Sequence, residues 1–150
     1  MRSTLILLLT LIITIATSSQ VFADGGSRRD SRLAPMQKLI DAENYETAIS
    51  ELKKALSKSP DDADLLNLLA YSQRKLMSFD EAMINYQKAL KIDPEHRGAN
   101  EYLGELYLQL GQPDKALERL KVLDDACFFG CREFDDLEEA IEMYRSQNES

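Results

Sequence analysis

Apolar residues recur through the middle of this chain at helical spacing, and the recurrence itself repeats every 34 residues. The stretch SFDEAMINYQKALKIDP, residues 78–94, has a counterpart 34 positions upstream, NYETAISELKKALSKSP, and another 34 positions downstream, QPDKALERLKVLDDACF. Ala48, Ala82 and Ala116 fall in register. Leu52, Tyr86 and Leu120 follow, and then Ala55, Ala89 and Leu123. Within each copy these positions lie at i, i+4 and i+7, which is one face of an α-helix. A small residue in that face lets a partner helix come close, and the larger residue fills the space beside it. The pattern predicts helices over 45–57, 79–92 and 113–126. Pro60 and Pro94 close two of the copies, because proline cannot continue a helix and bends the residue before it away from helical geometry.

A second helical pattern precedes each of these, over 36–42, 62–76 and 97–110. Leu66, Leu69, Ala70 and Gln73 align with Asn100, Leu103, Gly104 and Tyr107. Gly111 supplies the backbone freedom for the last inter-helix turn. Pro35 is expected to open a shortened first helix, where its missing N–H costs nothing. The tail carries one more amphipathic pattern over 132–146. Phe134, Leu137, Ala140, Ile141 and Tyr144 form its apolar stripe, and Asp135, Asp136, Glu138, Glu139 and Glu142 its acidic face. Helix pairs at a fixed period predict an all-α solenoid, and a solenoid needs a terminal element with a polar outer side. The expected organisation is repeats at 35–60, 61–94 and 95–126, a turn at 127–131, and a capping helix at 132–146.

The run Leu103, Gly104 and Tyr107, with Ala116 and Leu120 after it, resembles the tetratricopeptide repeat. So do Ala82, Tyr86, Ala89 and Pro94 in the copy before. The resemblance spans residues 35–126 and implies a right-handed superhelical solenoid of antiparallel helix pairs, about three repeats with the first truncated. Leu66 and Asn100 stand where the family usually has a bulky aromatic, Gln73 replaces the tyrosine, and the third copy lacks a closing proline. The family's geometry puts the first helix of each pair on a concave side. It implies a groove lined by Gln37 and Ile40, then Asn67, Tyr71, Arg74 and Lys75, then Glu101, Glu105, Leu108 and Gln109. Such a face suits an extended peptide or a partner helix. The Lys and Asn pattern with which some members clamp a chaperone's terminal carboxylate is absent.

Charge and composition change this picture little. The net charge of −8 disfavours nucleic acid, which requires a basic face. Neither a phosphate-cradling glycine loop, a zinc helix motif nor a serine elbow occurs, and the single histidine, His96, reads as a solvated turn residue. No enzyme, cofactor or metal site is expected.

The N-terminus adds a location. Arg2, the apolar run Leu5 to Ala16 and the small-residue site Val21-Phe22-Ala23 read as a secretory signal peptide over 1–23, with cleavage after Ala23. The apolar run is shorter than the roughly 20 residues a membrane span needs. Residues 24–34, with Arg28, Arg29 and Arg32, read as a flexible, solvated leader, the alternative being that the arginines dock on an acidic surface, this protein's own or an anionic lipid.

Export bears on the only cysteines, Cys127 and Cys131, which flank Phe128-Phe129-Gly130. In an oxidising compartment they are expected to form a disulfide that sets the angle of the cap. A soft-metal or thiol-redox role is the competing chemistry for this pair. The chain thus reads as a periplasmic or secreted scaffold that binds a protein or peptide. A copper or thiol-redox carrier and a self-assembling homo-oligomer are the alternatives.

Overall fold

The computed structural model describes residues 25–148, with side chains from Ser31 onward. The signal peptide expected over 1–23 lies outside the described residues. Among those described there are seven helices: α1 (Gly25–Asp41), α2 (Tyr45–Leu56), α3 (Ala63–Lys75), α4 (Phe79–Ile92), α5 (Arg97–Gln109), α6 (Pro113–Ala126) and α7 (Arg132–Asn148). Each helix packs on its chain neighbour, and α1, α3 and α5 also touch in series. The result is an all-α solenoid of antiparallel pairs, closed by α7.

The register of small residues does what the pattern predicts. Ala48, Ala82 and Ala116 are completely buried, as are Leu52, Tyr86, Ala89 and Leu123. They sit in three successive apolar clusters. The first joins Met36 and Ile40 to Ala48, Leu52, Leu65 and Leu69. The second centres on Tyr86 between Leu66, Ala70 and Leu103. The third sets Leu137 and Ile141 of α7 against Leu108, Ala116 and Leu123. Each repeat thus completes its core with the first helix of the next, which is why a solenoid is stable only as a stack.

The inter-helix turns obey the same period. Glu43, Met77 and Gly111 all have positive φ, at 55°, 61° and 70°. In each turn two backbone bonds close a Schellman cap: Ser78 N–H donates to the Gln73 carbonyl at 2.9 Å and Met77 N–H to the Arg74 carbonyl at 2.9 Å. The equivalent bonds recur from Asn44 to Leu39 and from Gln112 to Tyr107, each at 2.8 Å.

Three sequence expectations are corrected. The first helix is not short: α1 has 17 residues and Pro35 lies inside it. Residues 25–34 accordingly belong to a helix and not to a flexible leader. Two contacts explain the extra turns. Leu33 packs on the first core, and Arg32 pairs with Asp62 and, at 3.7 Å, with Asp64. His96 is not a solvated turn residue either. Its Nδ1 accepts the Ala99 N–H at 3.1 Å as the N-cap of α5, and its Nε2 lies 3.2 Å from an Asp64 carboxylate oxygen. Accepting at Nδ1 leaves the ring proton on Nε2, aimed at Asp64.

The departures from the repeat pattern find partners. Asn100, fully buried, donates to the carbonyls of Pro94 and His96 at 3.0 and 3.1 Å and so clamps the turn into α5. Gln73 accepts from Asn85 at 2.8 Å across the α3–α4 pair.

Candidate functional site: the concave face

The first helices of each pair, joined by the start of α2, present one continuous face. Its centre is a row of tyrosines, one each from α2, α3 and α5. Tyr71 stands 6.4 Å from Tyr45 and 4.8 Å from Tyr102, ring centre to ring centre, both pairs tilted. Two cations lie against the row. The Arg74 guanidinium is 5.4 Å from Tyr71 and 5.8 Å from Tyr102, and the Lys75 ammonium is 6.0 Å from both Tyr45 and Tyr71. Cations at these distances are attracted by the negative faces of the rings.

Arg74 and Lys75 differ in kind. Arg74 is 8% exposed and pairs with Glu105 at 2.6 Å. Burial disfavours its charge, but Tyr86 and Glu105 more than offset that and hold its pKa above the usual value. It is a structural cation. Lys75 is exposed at the mouth of the face. Burial pushes the Tyr86 and Tyr102 phenols well up, so both stay neutral.

Two hollows flank this centre. The first, about 250 Å³, is bounded by α1 and α2 on one side and Tyr71, Lys75 and Tyr102 on the other, and it contains Gln37 and Ile40. The second, about 460 Å³, gathers Arg74, Glu105, Leu108 and Gln109 and is completed by Met143 and Tyr144 of α7. The structure therefore brings eight of the expected groove residues to this face.

The other two are corrected. Asn67 is buried at 6% exposure beside Gly98, whose absent side chain leaves room for the amide. Glu101 is buried at 3% exposure and turned toward α7. Burial pushes its pKa up to about 8, and Glu105, Asp136 and Glu133 push the same way, with Arg132 opposing.

Sequence reading missed Tyr45, Tyr102 and the α7 wall. Tyr45 aligns with Phe79 and Pro113 at the start of each second helix, a position that the repeat pattern does not assign to the groove. Tyr102 follows Glu101 directly, and only the packing of α5 against α3 and α7 decides which of two adjacent residues faces inward. The stripe of α7 was legible, but not that one edge of it reaches the groove.

Cys127 and Cys131 are joined in a disulfide with Cα atoms 5.6 Å apart, between the end of α6 and the start of α7. Both sulfurs are committed to each other. Among the described residues no group of three His, Cys, Asp or Glu side chains is placed to hold a metal ion. No helix among them is long and apolar enough to cross a membrane.

Solved structures share the architecture. The TPR2B domain of yeast Sti1, solved in complex with pHsp70, superposes with a TM-score of 0.67 at 23% identity, over 78% of this chain and 97% of that one. The type III secretion translocator chaperone SycD of Yersinia enterocolitica gives 0.68 at 15% identity, over 83% and 96%. PcrH, solved with the chaperone binding region of PopD, gives 0.65 at 16% identity, over 81% and 91%. No curated protein matches the chain. Two family models, both described as tetratricopeptide repeat, match residues 37–96 and 78–126. The matched span, the period of the turns and the buried alanine register agree, and the chain belongs to the tetratricopeptide repeat family.

Proposed function

We propose that this chain is an exported interaction scaffold of the periplasm or cell envelope, which holds an extended segment or helix of a partner protein on its concave face and performs no catalysis. The observation that carries the reading is the preformed tyrosine row with a hollow at each end. Rigid aromatic rings offer large contact area at little entropic cost. The hollows give separate seats for side chains projecting from one partner segment. Structurally similar proteins solved with partners, the Sti1 domain with pHsp70 and PcrH with a region of PopD, support the reading by analogy of fold. The leader over 1–23 supports export.

Tyr71→Ala combined with Lys75→Glu tests the site. Lys75 is exposed and Tyr71 half-buried at the edge of the first core, so helicity is expected to persist with a modestly lower melting temperature, while a partner crosslinked in the envelope fraction is lost. Arg74 is unsuited to the test, because reversing a buried, ion-paired charge would damage the fold. Recovery of the same crosslinked proteins with both versions would place binding elsewhere.

A further inference from the structure

The largest exposed apolar side chains are not on the concave face. Phe128 and Phe129 are 86% and 96% exposed, and their rings stack edge to face at 5.0 Å. They stand at the tip of the loop closed by the Cys127–Cys131 disulfide. Burying either ring would remove a large apolar surface from water. The cross-link already restricts the loop, so docking it orders little further chain.

We propose that this loop is a knob that seats in a second copy of the chain, in the hollow beside α4, and that two copies do this reciprocally to form a dimer.

The hollow measures about 480 Å³ and is walled by Pro60, Leu66 and Ile92, with Lys88 and Lys91 on its rim and Asp61 as its one acid. That size falls in the range of about 300–1,000 Å³ typical of sites that enclose compact apolar groups. Ile84, itself half exposed, extends the apolar strip along α4 toward Lys88.

Charge selects this occupant over a membrane. Asp124 and Asp125 precede the knob, and Arg132, Glu133, Asp135 and Asp136 follow it; Arg132 is paired with Asp136 at 3.4 Å, so the phenyl rings rise from a collar that is negative on balance. An anionic bilayer repels such a collar, whereas the lysines around the hollow attract it.

Topology selects a closed pair over a filament. α2, α4 and α6 run in the same direction, so the segments after them, including Pro60 and the disulfide loop, lie on one edge of the solenoid. A two-fold axis between facing edges puts each knob in the other copy's hollow, and such an interface closes on itself. The concave face stays open, so this inference stands independently of the binding proposed for it.

Sedimentation velocity of the full chain, disulfide intact, over a concentration series tests it. A dimer is expected in rapid exchange with monomer. Phe128→Ser with Phe129→Ser should raise the apparent dimer dissociation constant at least tenfold, and so should Lys88→Glu with Lys91→Glu. Adding Asp124→Lys and Asp125→Lys to the second variant should restore the dimer. These side chains are all exposed, so circular dichroism melts should stay near wild type. A monomer at every concentration overturns the proposal, as does a dimer indifferent to Lys88 and Lys91. Phe-dependent flotation with anionic lipid vesicles, without dimer, would assign the knob to a membrane and overturn it as well.

Discussion

The left-handed turn residue is the point where single side chains work against the repeat. Position 111 is glycine, but the equivalent positions hold Glu43 and Met77 with φ of 55° and 61°. For an L-residue that conformation costs about 1–2 kcal/mol, and glycine avoids it at a smaller cost in unfolded-state entropy. Met77 is 74% exposed, so its side chain packs little. Met77→Gly is expected to stabilise the protein by about 0.5–1 kcal/mol, read as a higher urea midpoint with unchanged slope. A lower midpoint would mean that Met77 contributes a contact that its exposure does not suggest.

Glu101 supplies the second prediction at this level. Its carboxyl is buried between α5 and α7 among Glu105, Asp136 and Glu133, and its pKa is raised to about 8 from an unfolded value near 4.5. Between those values the folded state carries a proton that the unfolded state has lost. Stability should therefore fall as pH rises from about 4.5 to about 8 and level off above. Glu101→Gln removes the ionisation and keeps the shape. It should match wild type near pH 4 and exceed it by on the order of 5 kcal/mol at pH 9. Equal denaturation midpoints for the two proteins at both pH values would show that the carboxyl is not held in its acid form.

Among the helices, α7 takes its expected role as the cap. As predicted, its apolar stripe covers the last repeat, with Leu137 and Ile141 buried. Its approach is unusually close. A Cβ at Gly104 would lie 2.6 Å from both terminal methyls of Leu137, closer than atoms can pack. The aligned residue in the preceding repeat is Ala70, also fully buried, so a glycine is required only where α7 docks. Gly104→Ala should cost about 1–3 kcal/mol by overpacking. Pairing it with Leu137→Ala should cost less than the sum of the two single changes, in a double-mutant cycle of urea midpoints. Additive costs would show that α7 does not rest on Gly104. The other terminal helix, α1, is longer than its apolar pattern implies because Arg32 reaches Asp62 and Asp64 on α3. No periodicity reports an ion pair across 30 residues.

For the molecule as a whole, the stack separates three surfaces. The concave face carries the tyrosine row and is walled at one end by α7. The edge at which the second helices end carries the disulfide loop. The opposite edge carries the positive-φ turns. The partner binding proposed for the first surface and the pairing proposed for the second do not compete, so a dimer would offer two concave faces. A partner peptide labelled with a fluorophore is then expected to bind with equal affinity to wild type and to Phe128→Ser with Phe129→Ser. Weaker binding by the variant would couple the two surfaces.

The helices, their pairing and the identity of the buried alanines were legible in the residues alone, because a 34-residue period and i, i+4, i+7 spacing are properties of one dimension. Most of the concave face was legible for the same reason, since repeat position implies facing. Tertiary packing decided the rest. Whether Glu101 or Tyr102 turns inward depends on how α5 packs between α3 and α7, and whether Asn67 is open or covered depends on Gly98 of the next repeat. Such outcomes are set by contacts between helices far apart in the chain, and a linear pattern carries the spacing of residues but not the distance between the elements that bear them.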